Sequence, residues 1–149
     1  MSLTETINEE IKRAMLARNE AGLRALRAVK SALLLIKAEK GNASEITKEE
    51  ENKLLLKLVK QRKESIEIYN AQGRADLAKT EIEEVDVIEK FLPKQLGEDD
   101  IRAGLKIVIA DLGASSLADL GKVMGAASKH FAGTADNKIV SALVKELLS

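Results

Sequence analysis

Hydrophobic residues recur along this chain at the three-to-four-residue spacing of amphipathic helices, and no segment shows the sustained alternation typical of strands. Before residue 93 this spacing predicts four helical segments. Their predicted core positions are Leu3, Ile7, Ile11, Met15, Leu23, Leu26, Val29, Leu33, Ile36, Leu55, Leu58, Val59, Ile66, Tyr69, Leu77, Ile82, Val85, Ile88 and Leu92.

The boundaries of these helices are marked by capping residues and breakers. Ser2 with Glu5 and Thr47 with Glu50 have the spacing of capping boxes. Glycine ends the second helix, so residues 41–44 are predicted as a loop, and another glycine at 73 ends the third. Pro93 cannot continue a helix and restricts the residue before it to extended geometry. We therefore predict two domains, residues 1–93 and 94–149.

Three shorter helices are predicted beyond the proline. Acidic residues at 98–100 suit the first turn of one helix. Ser116 with Asp119 suggests a third capping box, and Asp136 suggests a cap for the last helix. The apolar positions are Ile101, Leu105, Val108, Leu112, Leu117, Leu120, Met124, Ala127, Ile139, Val140, Leu143, Val144, Leu147 and Leu148. The pattern predicts an all-α chain, an N-terminal helical bundle followed by a C-terminal three-helix unit.

Composition narrows the function classes. The 149 residues carry 24 cations and 24 anions, so the molecule as a whole has no electrostatic attraction for polyanions. The absence of cysteine excludes disulfides, thiolate metal sites and a cysteine nucleophile. No apolar run approaches the about 18 residues of a membrane span, and the first residues lack the features of a secretory signal. A cytoplasmic protein with no membrane partner is expected.

Four stretches in order resemble one family: residues 60–66 (KQRKESI), 91–96 (FLPKQL), 119–125 (DLGKVMG) and 143–148 (LVKELL). They are similar to the GatB/YqeY family over essentially the whole chain, in the arrangement of its stand-alone members. The resemblance implies an N-terminal helical unit joined to a three-helix unit. That three-helix unit is shared with the tail domain of the tRNA-dependent amidotransferase.

The resemblance also implies a function. In the amidotransferase, the tail helps to hold tRNA, whereas the transfer site and the glutaminase lie in parts that this chain lacks. The family association with carbon–nitrogen ligase activity, with glutamine as amido donor, is therefore inherited rather than shown by a site here. The implied partners are tRNA and an amidotransferase or other translation-related protein.

The turn before the last helix departs from the family pattern, Gly-Arg-Ala-Asp-Gly-Lys. Residues 133–138 read GTADNK, so Thr134 stands where an arginine could meet a phosphate, and Asn137 replaces a glycine. This departure weakens the expectation that RNA contacts the chain at this turn.

The C-terminal candidates for RNA phosphates are Lys122, Lys129 and Lys138. Gly121 and Gly125 could let an RNA backbone approach, but glycines at this spacing serve close helix packing more often. From the residues alone we favour packing. The spacing is not that of a nucleotide-binding loop.

An N-terminal track of cations is a second candidate surface for RNA: Arg24, Arg27, Lys60, Arg62 and Lys63. The fourth helix is acidic at Glu81, Glu83, Glu84, Asp86 and Glu89. The two sets could pair within the bundle or present separate faces, and we favour internal pairing.

No catalytic constellation is found. His130 is the only histidine, and no nucleophile–base arrangement, metal-ligand spacing or cofactor motif accompanies it. We therefore predict no catalytic residue, no metal and no cofactor. The expected function is a tRNA-binding or aminoacyl-tRNA-handling accessory protein. The alternatives are a helical protein–protein adaptor without RNA contact and an enzyme whose site is completed only in an assembly.

Overall fold

The computed structural model describes residues 2–41 and 43–149. Met1, and Asn42 of the predicted loop, lie outside the described residues. Within these ranges the chain forms seven α-helices, one short 3-10 helix and no strand, so the all-α prediction is confirmed. The helices are α1 Leu3–Leu16, α2 Glu20–Lys40, α3 Lys48–Ala71, α4 Ala75–Glu89, α5 Glu98–Leu112, α6 Leu120–His130 and α7 Asn137–Leu148, with the 3-10 helix at Leu117–Asp119 before α6.

The chain divides into two compact units, Met1–Leu92 and Pro93–Ser149, which we call the N-terminal and C-terminal units. In the N-terminal unit, α2 packs against α1, α3 and α4, and α3 forms a helical hairpin with α4. The aliphatic core is closed around Ile7, Val29, Leu33, Leu55 and Ile88, each almost inaccessible to solvent.

Helix starts follow the predicted caps in part. Thr47 and Glu50 form the full capping box. At α1 only half of the predicted box is formed within the described residues, where Ser2 Oγ accepts from the Glu5 amide. The third predicted box is wrong: Ser116 begins the 3-10 helix without a side-chain cap. The carboxylate of Asp119 instead accepts from the amide of Ser115, which satisfies that amide before the helix begins.

The turn between α1 and α2 is unusually tight. Arg18 adopts the left-handed region at φ 53°, and the Asn19 amide donates to the Ala14 carbonyl. Asn19 then caps α2 by accepting from the amide of Gly22. A Cβ at Gly22 would lie 2.6 Å from the Asn19 side-chain nitrogen, so this glycine makes room for the cap.

Five predicted core positions are exposed, and at these the prediction is wrong. Ala14 is buried on α1, whereas its neighbour Met15 points outward. The positions concerned lie at helix ends or on outer faces, where no neighbouring helix covers them. They are Met15, Leu77, Ile82, Leu117 and Ile139.

The C-terminal unit packs α5, α6 and α7 around a second core that includes Leu105, Val123 and Val144. Phe131, just after α6, packs on Gly104 of α5, where an added Cβ would lie 2.6 Å from the phenyl ring. The close approach of α5 to this ring therefore requires glycine.

The segment that enters the C-terminal unit is fastened to the turn before α7. Gln95 donates from its side-chain amide to the carbonyls of Pro93 and Gly133, at 2.9 and 2.7 Å. The Leu96 amide donates to the Thr134 carbonyl at 2.9 Å. We call these three bonds the entry clasp. They give a structural role to the FLPKQL stretch.

Candidate nucleic-acid interface

Two arginines of the predicted N-terminal track bind one buried carboxylate. Glu84 of α4 is only 8% exposed. Its carboxylate accepts from Arg24 of α2 at 3.3 Å and from two nitrogens of Arg62 of α3 at 3.3 and 3.4 Å. Arg62 also donates to the Leu58 carbonyl, and Arg24 reaches Glu83 at 3.3 Å. Through Glu84, these guanidinium groups link α2, α3 and α4, so they contribute to the packing of the N-terminal unit.

A third track residue is also paired internally, because Lys63 lies 3.2 Å from Glu89. The structure therefore corrects the idea of a continuous basic strip: three of its five cations bind glutamates of α4, as expected for internal pairing. Arg27 and Lys60 are exposed, and neither has an ion-pair partner among the described residues.

A smaller basic face remains on α3. Lys53, Lys57 and Lys60 follow one another at spacings of four and three residues and are all exposed. Residues at this spacing share one side of a helix. Lys53 is bound to Glu49 at 3.4 Å, which leaves Lys57 and Lys60 as the open pair. The sequence carried this signal in its spacing, but the predicted track passed over Lys57.

The three C-terminal candidates are all exposed. Lys122 and Lys129, seven residues apart, lie on one face of α6, and Lys138 lies in the first turn of α7. Within residues 2–41 and 43–149 none of them makes an ion pair. Acidic groups of this unit gather instead around Arg102, which is within 3.6 Å of Glu98, Asp99 and Glu146.

Bare backbone lies between the two lysines of α6. Gly125 follows Lys122 by three residues and precedes Lys129 by four, and both Gly125 and Gly121 are exposed. Apart from the adjoining residues and the backbone of α6 itself, a Cβ added at either glycine meets no described atom within 4 Å. Neither glycine is therefore in close contact with a neighbouring helix of the C-terminal unit. We call this surface, formed by Gly121, Lys122, Gly125 and Lys129, the lysine–glycine face.

The turn that departs from the family pattern is occupied by internal bonds. Thr134 donates from its amide and its hydroxyl to the Phe131 carbonyl, while Gly133, at φ 78°, accepts from Gln95. The side chain of Asp136 caps α7 through the amide of Lys138, as predicted. At this turn Lys138 is the cation available to a phosphate.

Comparison with known proteins identifies the family. The family model described as Yqey-like protein matches residues 4–148. The chain belongs to the YqeY-like family. This confirms the resemblance drawn from the four sequence stretches.

A curated relative of this YqeY-like chain is "Altered inheritance of mitochondria protein 41, mitochondrial" of Clavispora lusitaniae. It is 32% identical over 91 residues, which cover 61% of this chain and 52% of the relative. The match therefore spans about half of that protein's length.

The histidine of the sequence lies on the surface of the C-terminal unit of this YqeY-like protein. His130 is exposed and its ring meets Phe131 edge-on, with ring centroids 4.7 Å apart. The residues described include no group of three or more acidic, histidine or cysteine side chains able to hold a metal. None of the described helices is long and apolar enough to cross a membrane.

The clearest pKa shifts lie outside the lysine–glycine face. The Glu50 carboxylate accepts from Lys40, and also from the backbone and hydroxyl of Thr47, so its pKa lies below the ordinary value. The Asp76 pKa is likewise lowered by Arg74, which binds it through two nitrogens. Glu50 lies in the first turn of α3 and Asp76 in the first turn of α4 of the YqeY-like fold.

Proposed function

We propose that this YqeY-like protein binds tRNA, or an aminoacyl-tRNA-handling complex, through the lysine–glycine face of its C-terminal unit. The observation that carries the proposal is the combination on α6: two exposed lysines without ion-pair partners among the described residues, and uncovered glycine backbone between them. The family resemblance to the tRNA-holding tail of the amidotransferase supports the same assignment.

The glycines make this face chemically distinctive. Glycine inside a helix is less stable than alanine by about 1 kcal/mol, and here no internal packing offsets that loss. Without side chains at 121 and 125, a ribose–phosphate chain can approach the helix backbone while Lys122 and Lys129 reach its phosphates. Such contacts position a nucleic acid without reading its sequence.

The N-terminal unit offers a secondary basic surface. Of the predicted track, Arg27 and Lys60 remain available, with Lys57 added. Arg24, Arg62 and Lys63 are assigned to the fold instead. We propose that the available cations form a second RNA contact, on the N-terminal unit itself.

The chain acts as an accessory in this proposal. Amide transfer, the carbon–nitrogen ligase chemistry of the wider family, would belong to an amidotransferase or other translation-related partner. We propose that this protein acts in the cytoplasm. The word mitochondrial in the relative's name describes that relative.

The test is a tRNA-binding titration repeated at several salt concentrations. The logarithm of the affinity should fall linearly with the logarithm of the salt concentration. Lys122→Glu and Lys129→Glu should each weaken every tRNA alike, and should each reduce the salt slope by about 1. Lys106→Glu, an exposed lysine of α5 in the same unit, is the matched control and should keep the slope.

A second variant separates binding from folding. Gly125→Ala should stabilise the free protein by up to about 1 kcal/mol, because alanine is the better helix former. It should nevertheless weaken tRNA binding, because the added methyl covers the backbone. Gly97→Ala, at an exposed and equally open position, should leave binding unchanged.

The adaptor alternative has a different signature. No salt-dependent tRNA binding, together with nuclease-resistant capture of a protein that Lys122→Glu does not disturb, would replace this proposal with a helical adaptor that does not contact RNA.

A further inference from the structure

A second row of lysines lies on α7, with the same spacing as the pair on α6. Lys138 and Lys145 are seven residues apart, as are Lys122 and Lys129. Seven residues make nearly two full turns, so the lysines of each pair share one side of their helix, about 10 Å apart along its axis. Both lysines of α7 are exposed, and neither makes an ion pair among the described residues. We call this pair the α7 row.

The two helices run in opposite directions. They pack against each other and are joined only by residues 131–136, which contain a hydrogen-bonded turn. Neighbouring helices with so short a connection are antiparallel. Lys129 and Lys138 therefore lie near the turn, whereas Lys122 and Lys145 lie toward the other end of the two helices.

A contact with α5 shows which side of α6 faces α7. His130 lies beside α5, because its Nε2 would be 3.3 Å from a Cβ added at Gly104. At 3.6 residues per turn, His130 is displaced from Lys129 by about 100° around α6, whereas Gly125 is displaced by about 40° in the opposite direction. The glycines of the lysine–glycine face are therefore on the side of α6 that is away from α5 and next to α7.

A second contact with α5 orients α7 in the same way. Glu146 accepts from Arg102 of α5 at 3.3 Å, so α5 lies on the Glu146 side of α7. Lys138 and Lys145 are displaced from Glu146 by about 80° and 100° around the helix, across the exposed Ala142. The α7 row is therefore on the edge of the outer surface that is nearer to α6.

The two rows of lysines thus flank a strip of bare helix backbone. Lys122 and Lys129 form one row, the α7 row is the other, and Gly121 and Gly125 lie between them. No side chain projects from the two glycine positions, so the strip between the rows is open to a ligand.

Acidic side chains do not neutralise these rows. The acidic residues between positions 120 and 149 are Asp136 and Glu146. The carboxylate of Asp136 caps α7, and that of Glu146 binds Arg102 on the far side of the helix. The surface therefore keeps an excess of positive charge arranged in two lines.

The C-terminal unit lacks a platform for unpaired bases. Single-stranded RNA is recognised largely by stacking its bases on aromatic rings or arginine planes. Phe131 is the one Phe, Tyr or Trp of residues 93–149, and it is buried. The ring of His130 meets Phe131 and lies on the α5 side. Arg102, the one arginine of these residues, is held by three carboxylates.

We propose that this surface holds a double-helical stem of RNA, with one row of lysines on the phosphates of each strand. The inference rests on the proposed RNA binding and adds the form of the RNA. The major groove of an A-form stem is narrow, so its two phosphate backbones approach each other. Such a stem is recognised by its shape and backbone rather than by stacked bases. Two lines of lysines without an aromatic residue fit that kind of ligand.

The test compares two RNA probes of equal length, a hairpin stem of mixed sequence and an unstructured single strand, at one salt concentration with the full chain. The wild type should bind the stem about tenfold more tightly, because a single backbone meets one row of lysines rather than two. Fluorescence anisotropy measures both affinities.

Variants of the α7 row test its part in this preference. Lys145→Glu should weaken stem binding and reduce the salt slope by about 1, whereas Lys106→Glu, an exposed lysine of α5, is the matched control and should leave both unchanged. The double variant Lys138→Ala/Lys145→Ala should bind stem and strand with similar affinity through the row that remains on α6. Circular dichroism should show unchanged helix content, because these side chains are exposed.

The outcomes separate this inference from the proposed function. Equal binding of stem and strand by the wild type, with tRNA binding intact, would overturn the inference and leave the proposed function standing. Stem binding that Lys145→Glu does not weaken would also overturn it. Absence of binding to tRNA and to both probes would overturn the proposed function and this inference together.

Discussion

The two units use their positive charges in different ways. In the N-terminal unit, Arg24 and Arg62 share Glu84, and Lys63 binds Glu89. In the C-terminal unit, acids collect around Arg102, and the lysines of α6 have no ion-pair partner among the described residues. The density of cations along the sequence is higher in the first unit, but the open cations that flank bare backbone are in the second. A basic stretch therefore indicates a binding surface only when the neighbouring helix is not acidic.

The largest expected effect comes from removing the shared carboxylate of the N-terminal unit. Glu84→Gln would leave Arg62, whose side chain is only 15% exposed, without a counter-charge, and would leave Arg24 with Glu83 alone. We expect a loss of about 3 kcal/mol in the free energy of unfolding, as for other broken buried pairs. Urea denaturation measures it.

Glu89→Gln is the control for that experiment. The Lys63–Glu89 pair is exposed, and its loss should cost about 0.5 kcal/mol or less. Equal effects of the two substitutions would show that the Glu84 cluster is no more than surface pairing.

Glycine substitutions sharpen the comparison inside the C-terminal unit. Gly104→Ala places a methyl against the Phe131 ring and should destabilise the protein by about 2 kcal/mol, a usual cost of overpacking. Gly125→Ala should act in the opposite direction. If both substitutions changed the thermal midpoint alike, the α6 glycines would not be open as described.

The cap of α3 provides a pH-dependent test. Thr47→Ala should cost about 1 kcal/mol and should raise the pKa of Glu50 part of the way toward its ordinary value of 4.5. The substitution removes the hydroxyl donor and leaves the bonds from Lys40 and from the backbone amide of residue 47. Because the pKa of Glu50 is lowered in the folded protein, its stabilising contribution is present above pH 4.5. That contribution is lost as the pH falls through the lower folded value.

NMR titration of the Glu50 side chain and acid denaturation should report this change together. A Glu50 pKa unaffected by Thr47→Ala would mean that Lys40 and the backbone amide of residue 47 lower it without the hydroxyl.

The smallest expected effect concerns the α1–α2 turn. Arg18 adopts a left-handed conformation that glycine tolerates better, so Arg18→Gly should stabilise the protein by about 0.5 kcal/mol. Destabilisation would indicate that the arginine side chain contributes more than its backbone strain costs.

Local signals predicted much of the fold. The Thr47–Glu50 box, the Asp136 cap and the glycine after α2 marked helix ends correctly, because caps depend on neighbouring residues. Helical spacing located both cores. It failed at Met15, because the buried face of α1 passes through Ala14 instead. It also failed at Leu77, because periodicity defines a face but not how far the covering helix extends.

The candidate site was less accessible from sequence. The lysines of α6 were identified as candidates, but the glycines beside them were assigned to packing. Gly125 lies in open space, whereas Gly104, which the sequence did not single out, makes the close contact. Both glycines lie inside helices, and they differ because Phe131 packs on Gly104 and not on Gly125. The sequence also could not show that two arginines share Glu84, because this contact requires three helices to meet at one level.

The entry clasp determines how this protein can be dissected. A fragment that begins at Gly97 would contain every helix of the C-terminal unit but would lack the Gln95 and Leu96 bonds to the turn before α7. In such a fragment the Gly133 and Thr134 carbonyls would lose these donors, and the adjoining segment with Lys138 would lose a restraint. Expression of this half in isolation should therefore start no later than Pro93.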